Sequence, residues 1–134
     1  MSDSRLSLHA KTGLALRIWV LLAQVVVGLR REPLPALVAR LGSAPRARSD
    51  RLAPDRLSRA VDRSLRVGGH RPRCLVNALV LYRLLREQGD DAELVVGLPA
   101  RPVDKDAHAW VELGGVDVGP PPGRSGHEEL ARFH

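Results

Sequence analysis

The stretch CLVNALVLYRLLREQG, residues 74–89, decides the fold. It opens on Cys74, the only cysteine in the chain, and sets Leu75, Ala78, Leu79, Tyr82 and Leu85 at intervals of three and four, so it reads as a helix stopped by Gly89. The next chemistry-bearing residue is His108, within the run AHAWVEL at 107–113. A thiol in the first turn of a helix lies among unpaired amide groups at the positive end of the helix dipole. That position favours the thiolate by about 0.3–1 kcal/mol. A histidine on a strand packed against the helix is placed to take the proton. Singly, a buried cysteine is usually a small hydrophobe and a strand histidine a structural one. Together they point to a cysteine-nucleophile enzyme.

Downstream, AELVVGL (92–98) has strand chemistry and residues 99–106 form a polar turn. Residues 107–113, Gly114-Gly115 and 116–118 read as a hairpin, because two glycines suit a two-residue turn with positive φ at both positions. Alternation sets Ala109, Val111 and Leu113 on one face and His108, Trp110 and Glu112 on the other, with Trp110 as a wall for a peptide substrate. Prolines 120–122 end the second strand, and 120–134 is expected to be a C-terminal tail.

Upstream, Pro54 opens a helix whose Leu57, Ala60, Val61 and Leu65 keep helical spacing, while Arg56, Arg59, Arg63 and Arg66 take other positions. A short helix is expected over 36–41, and residues 1–10 are expected to fray. The run from Leu14 to Leu29 is apolar enough to raise a membrane question, but it carries Arg17 and Gln24 and ends at Arg30-Arg31. A buried or partner-facing helix is favoured over membrane association. The expected fold class is α+β: one domain over 1–134, with a helical part (1–53), a core (54–119) bearing the cysteine helix and a small antiparallel sheet, and the tail.

The 134 residues leave room for one modest core. A lone cysteine and the lack of a cleavable-signal pattern point to a reducing cytoplasm. Between Arg30 and Arg73, 12 arginines face four acids, a balance of +8, while the remainder has nine basic and 11 acidic residues, or −2. The scarcity of stacking aromatics argues against nucleic acid, so the basic segment is a solvated helix face or a dock for an acidic peptide. Five scattered histidines and one cysteine give no metal-ligand spacing, and no phosphate-binding loop or other cofactor motif is present.

The segments RPRCLVNALVLYRLLREQG (71–89), AELVVG (92–97) and AHAWVELGG (107–115) resemble the transglutaminase-like, papain-related domain of lasso-peptide maturation proteases. The resemblance is carried by residues 54–118. It implies a cysteine protease, in stand-alone form and without a cofactor, that removes the leader of a ribosomally made precursor peptide. It also implies a separate leader-binding recognition protein and a cyclase acting on the freed core. Cys74 matches the family's nucleophile and His108 its histidine, and Arg71 and Arg73 flank the cysteine with positive charge.

A papain-like site also holds its imidazole with a third group. The family's acid falls about where Pro120 stands, which leaves Asp117 as the candidate. If Gly114-Gly115 is the turn, Asp117 lies opposite Glu112, about 13 Å along the strand from His108. A bulge, or else Asp104, Asp106, Glu128 or a backbone carbonyl, would have to supply the orienting contact. The amide of Cys74 is one oxyanion donor, with His70 or Arg71 as candidates for a second. The same residues also admit a non-catalytic peptide-binding module of this fold, or a thiol-dependent amide transferase.

Overall fold

The helix that opens on Cys74 lies at the centre of the molecule. In the computed structural model, residues 8–43, 52–66, 74–99, 108–119 and 127–134 are described. They form α1 (Leu8–Arg31), α2 (Leu34–Gly42), α3 (Pro54–Leu65) and α4 (Cys74–Glu87), then β1 (Ala92–Pro99), β2 (His108–Leu113), β3 (Val116–Gly119) and β4 (His127–Phe133). Along α4, Val76, Ala78, Leu79, Val80, Leu81, Tyr82, Leu84 and Leu85 are all buried. A helix apolar around its circumference must be covered on every side. Here α1, α2 and α3 pack against it, and so do β1 and β2. It ends in a Schellman motif: Gly89 has φ 95°, the Asp90 N–H donates to the Leu85 carbonyl at 2.9 Å, and the Gly89 N–H to that of Arg86 at 3.1 Å.

The sheet is antiparallel, in the order β3-β2-β1-β4. The turn at Gly114 and Gly115 has φ 58° and 84°, as a two-residue hairpin requires. The α+β class is therefore as the sequence indicates: four helices and a four-stranded antiparallel sheet. Several boundaries shift by a residue or two, and two differ by more. Residues 8–10 are already helical in α1, and 127–133, expected as tail, form the edge strand β4. Pairing explains the second difference: β4 sets Phe133 opposite Leu94 and Ala131 opposite Val96, so it extends the sheet face that packs on the core.

Leu14, Ile18, Leu21 and Val25 of α1, Leu37, Val38 and Leu41 of α2, and Leu57, Val61 and Leu65 of α3 complete that core. Glycines allow the close approaches. A Cβ on Gly28 would lie 2.7 Å from Leu37 Cδ1, and one on Gly42 would land on the Tyr82 hydroxyl. Polar clamps fix the C-terminal half of α4. Arg83 Nη1 donates to the Leu41 carbonyl and Arg86 Nε to that of Gly42, both at 3.2 Å, satisfying the open end of α2. Buried Glu87 accepts from Arg83 at 2.8 Å and from Arg17, while Gln88 Nε2 donates to the Leu52 carbonyl at 2.8 Å.

Two outcomes follow from Tyr82 and Gly42. Gly42→Ala overpacks the Tyr82 site and should lower stability by about 1–3 kcal/mol in urea unfolding. Burial raises the Tyr82 phenol above its ordinary 10.0; the nearby Arg86 guanidinium opposes the shift and the Asp91 carboxylate adds to it. Tyr82 is the only tyrosine, so absorbance at 295 nm should give a folded-state midpoint above 10. Between the two midpoints the unfolded chain has lost a proton that the folded chain keeps. The phenol's stabilising contribution is therefore complete below pH 10 and lost as pH rises through the folded value.

Candidate active site

The two chemistry-bearing residues each open an element, Cys74 the helix α4 and His108 the strand β2, and these two elements pack on each other. Cys74 is the first residue of α4, and 13 residue steps carry that helix about 20 Å to Glu87. Gln88 to Asp91 then turn the chain, and β1 packs against α4. Five steps from Ala92 to Gly97 cover about 17 Å. Gly97 is paired with His108, the first residue of β2. A β1 strand running back along α4 over these lengths would bring position 108 to the end of the layer where position 74 stands. The flanking candidates His70, Arg71 and Arg73 lie outside the described residues, as do Asp104 and Asp106.

Asp117 follows the register expected from the glycine turn. Leu113 pairs with Val116 and Glu112 with Asp117, after which the register shifts so that Val111 faces Gly119. The shift adds Val118 to β3 and leaves Asp117 where it was, four residues along β2 from position 108. Asp117 Oδ1 accepts the Gly119 N–H at 2.8 Å, a contact that spans the bulge. Glu128 stands opposite Leu98 in the neighbouring pairing.

Trp110 is only 6% exposed, which leaves little of its ring for a substrate. Its Nε1–H donates to Glu112 Oε2 at 2.8 Å; Arg132 Nη1 donates to Glu112 Oε1 at 2.9 Å and to Glu93 Oε1 at 3.3 Å. Val95, paired with both Trp110 and Arg132, is fully buried. These residues form a polar clasp across three strands, on the face away from Ala109 and Val111. Sequence alternation had set Glu112 on the Trp110 face, but nothing local pointed to Arg132. Asn77, one turn after Cys74, is 4% exposed, and its Oδ1 has no hydrogen-bond partner among the described residues. Among those residues no cluster of histidine, cysteine, aspartate or glutamate has metal-binding geometry.

The clasp predicts unequal losses in urea unfolding. Glu112→Ala leaves a buried indole N–H without this acceptor and should cost about 1–3 kcal/mol. Arg132→Ala removes partly solvated ion pairs and should cost less than about 1 kcal/mol.

Residues 15–132 match the family model described as the transglutaminase-like superfamily. No curated protein and no solved structure matches the chain. The match runs from the first turns of α1 into β4, well beyond the 54–118 segment that carries the sequence motifs. Since it takes in both the helical layer and the sheet, the chain belongs to the transglutaminase-like superfamily.

Proposed function

We propose that the protein is a cysteine peptidase that removes the leader from a ribosomally synthesised lasso-peptide precursor. What supports the proposal is that Cys74 opens the buried helix α4 and His108 opens β2, a strand that packs on that helix. Superfamily membership supports the thiol chemistry, and the motifs at 71–89 and 107–115 support the choice of substrate.

In the proposed reaction His108 takes the Cys74 thiol proton and the thiolate adds to the scissile carbonyl. The amide at the start of α4 has no acceptor one turn earlier in its own helix, which makes it the natural donor to the oxyanion. As the C–N bond breaks, the imidazolium returns its proton to the leaving amine, leaving a thioester. Water, deprotonated by His108, then releases the leader carboxylate and restores the thiol. The freed core N-terminus is the substrate of a separate cyclase, and a separate recognition protein presents the leader, all in the cytoplasm. The pairing of Asp117 with Glu112, four residues along β2 from His108, supports a mechanism in which another group orients the imidazole.

The register also favours a second reading, a peptide-binding module of this fold that does not cleave. Mass spectrometry of precursor incubated with the chain and the recognition protein separates the alternatives. Leader and core whose masses sum to the precursor plus one water support the peptidase. A product joined to an added amine identifies an amide transferase, and an intact precursor favours the binding module. Cys74→Ala and His108→Ala should each lower the cleavage rate by at least about 10³-fold. Asp117→Asn should lower it no more than about threefold, because a carboxylate some 13 Å along the strand cannot hold the imidazole.

A further inference from the structure

Between Leu14 and Leu29, α1 is apolar around almost its whole circumference, yet the fold uses one side of it. Leu14, Ile18, Leu21 and Val25 face the core. On the other side Leu16 is 62% exposed, Trp19 43%, Val20 48% and Val27 46%. At 100° per residue these four, with Ala23 and Val26, span an arc of about 120° centred opposite the buried row. Arg17 and Gln24 lie outside the arc. By length and composition Thr12–Arg31 suffices to cross a bilayer, but crossing would strip the buried row from the core it shares with α4.

A groove of about 670 Å³ between α1, α2 and α4 runs along one edge of this stripe. Ala23 and Val27 belong to both stripe and groove, while Arg31, Arg40 and Arg83 line the groove together with a single acid, Glu32. Glu32 accepts from Arg40 Nε at 2.9 Å and buried Glu87 from Arg83 at 2.8 Å, and Arg31 adds positive charge where α1 ends. The lining carries three cations against one anion.

We infer that this surface docks a helix of a partner protein whose apolar stripe is edged by carboxylates. The apolar positions pack on Trp19, Val20 and Val27, and the carboxylates reach Arg31 and Arg40 inside the groove. Charge complementarity and shape select this occupant. A second copy pairing through α1 offers no carboxylate, because α1 contains no acidic residue. A flat lipid surface covers the stripe but does not enter the groove. The inference deepens the proposed function by giving the recognition partner a surface, while its test reads binding alone.

The probe is a fluorescein-labelled, 18-residue helical peptide with leucines at intervals of three and four, edged by glutamates; the control has the same leucines edged by lysines. Anisotropy with the wild-type chain should show at least about tenfold tighter binding of the glutamate peptide at low salt, an advantage that salt erodes. Val20→Glu and Val27→Glu should each abolish that binding, and Arg31→Glu should remove the preference for glutamate. Cys74→Ala should bind as wild type does, so loss of cleavage and loss of docking are read separately. Equal binding of both peptides, or of neither, overturns the inference. So does co-sedimentation with phosphatidylglycerol vesicles in place of peptide binding, or a dimer in sedimentation that Val20→Glu dissolves.

Discussion

Everything in this fold depends on α4 having no side to show to water. Eight of its apolar residues from Val76 to Leu85 are buried, and each valine or leucine among them returned to solvent would forfeit roughly 1.5–3 kcal/mol. One layer cannot cover a whole circumference, so three helices pack on it from one direction and a sheet from another. The chemistry inherits that constraint. A cysteine on the first residue of so enclosed a helix is held by a backbone the whole core defines, and the histidine opens a strand that packs on the same helix.

The other end of α4 is tied down by polar contacts. Arg83 and Arg86 close the carbonyls of α2, Glu87 gathers Arg83 and Arg17, and Gln88 clasps Leu52 beyond the helix. Buried charges of this kind add little net stability over apolar packing, but removing one partner leaves the other stranded, so they resist alternative arrangements. The register of α4 against α1 and α2 is thereby fixed far from the chemistry. Arg83 also lines the groove beside α1.

What could be read from the sequence was what local rules encode. The spacing of Leu75, Ala78, Leu79, Tyr82 and Leu85, the stop at Gly89, the proline start at 54 and the two-glycine turn each rest on neighbours within four residues, and each reappears in the structure. The strand β4 could not be read this way. Its register shift at Val96 and Gly97 leaves Leu130 without an opposite residue, so apolar residues fall side by side and the period of two is broken. Arg132 reaches Glu112 across 20 residues, and the groove draws its arginines from three helices; such contacts belong to topology and leave no periodic trace. For α1 the buried reading holds on one side of the helix, while Leu16, Trp19, Val20 and Val27 on the other side are exposed.

The pairing of Cys74 with His108 is tested most directly by the pH dependence of Cys74 alkylation with iodoacetamide, in the wild type and in His108→Ala. With a single cysteine, the reaction reports that thiol alone. A functional pair requires rapid alkylation of the wild type well below the free-thiol value of about 8.5, and loss of that advantage in the variant. Slow reaction in both, titrating like free cysteine with the recognition protein present or absent, would contradict the pairing and leave a peptide-binding module.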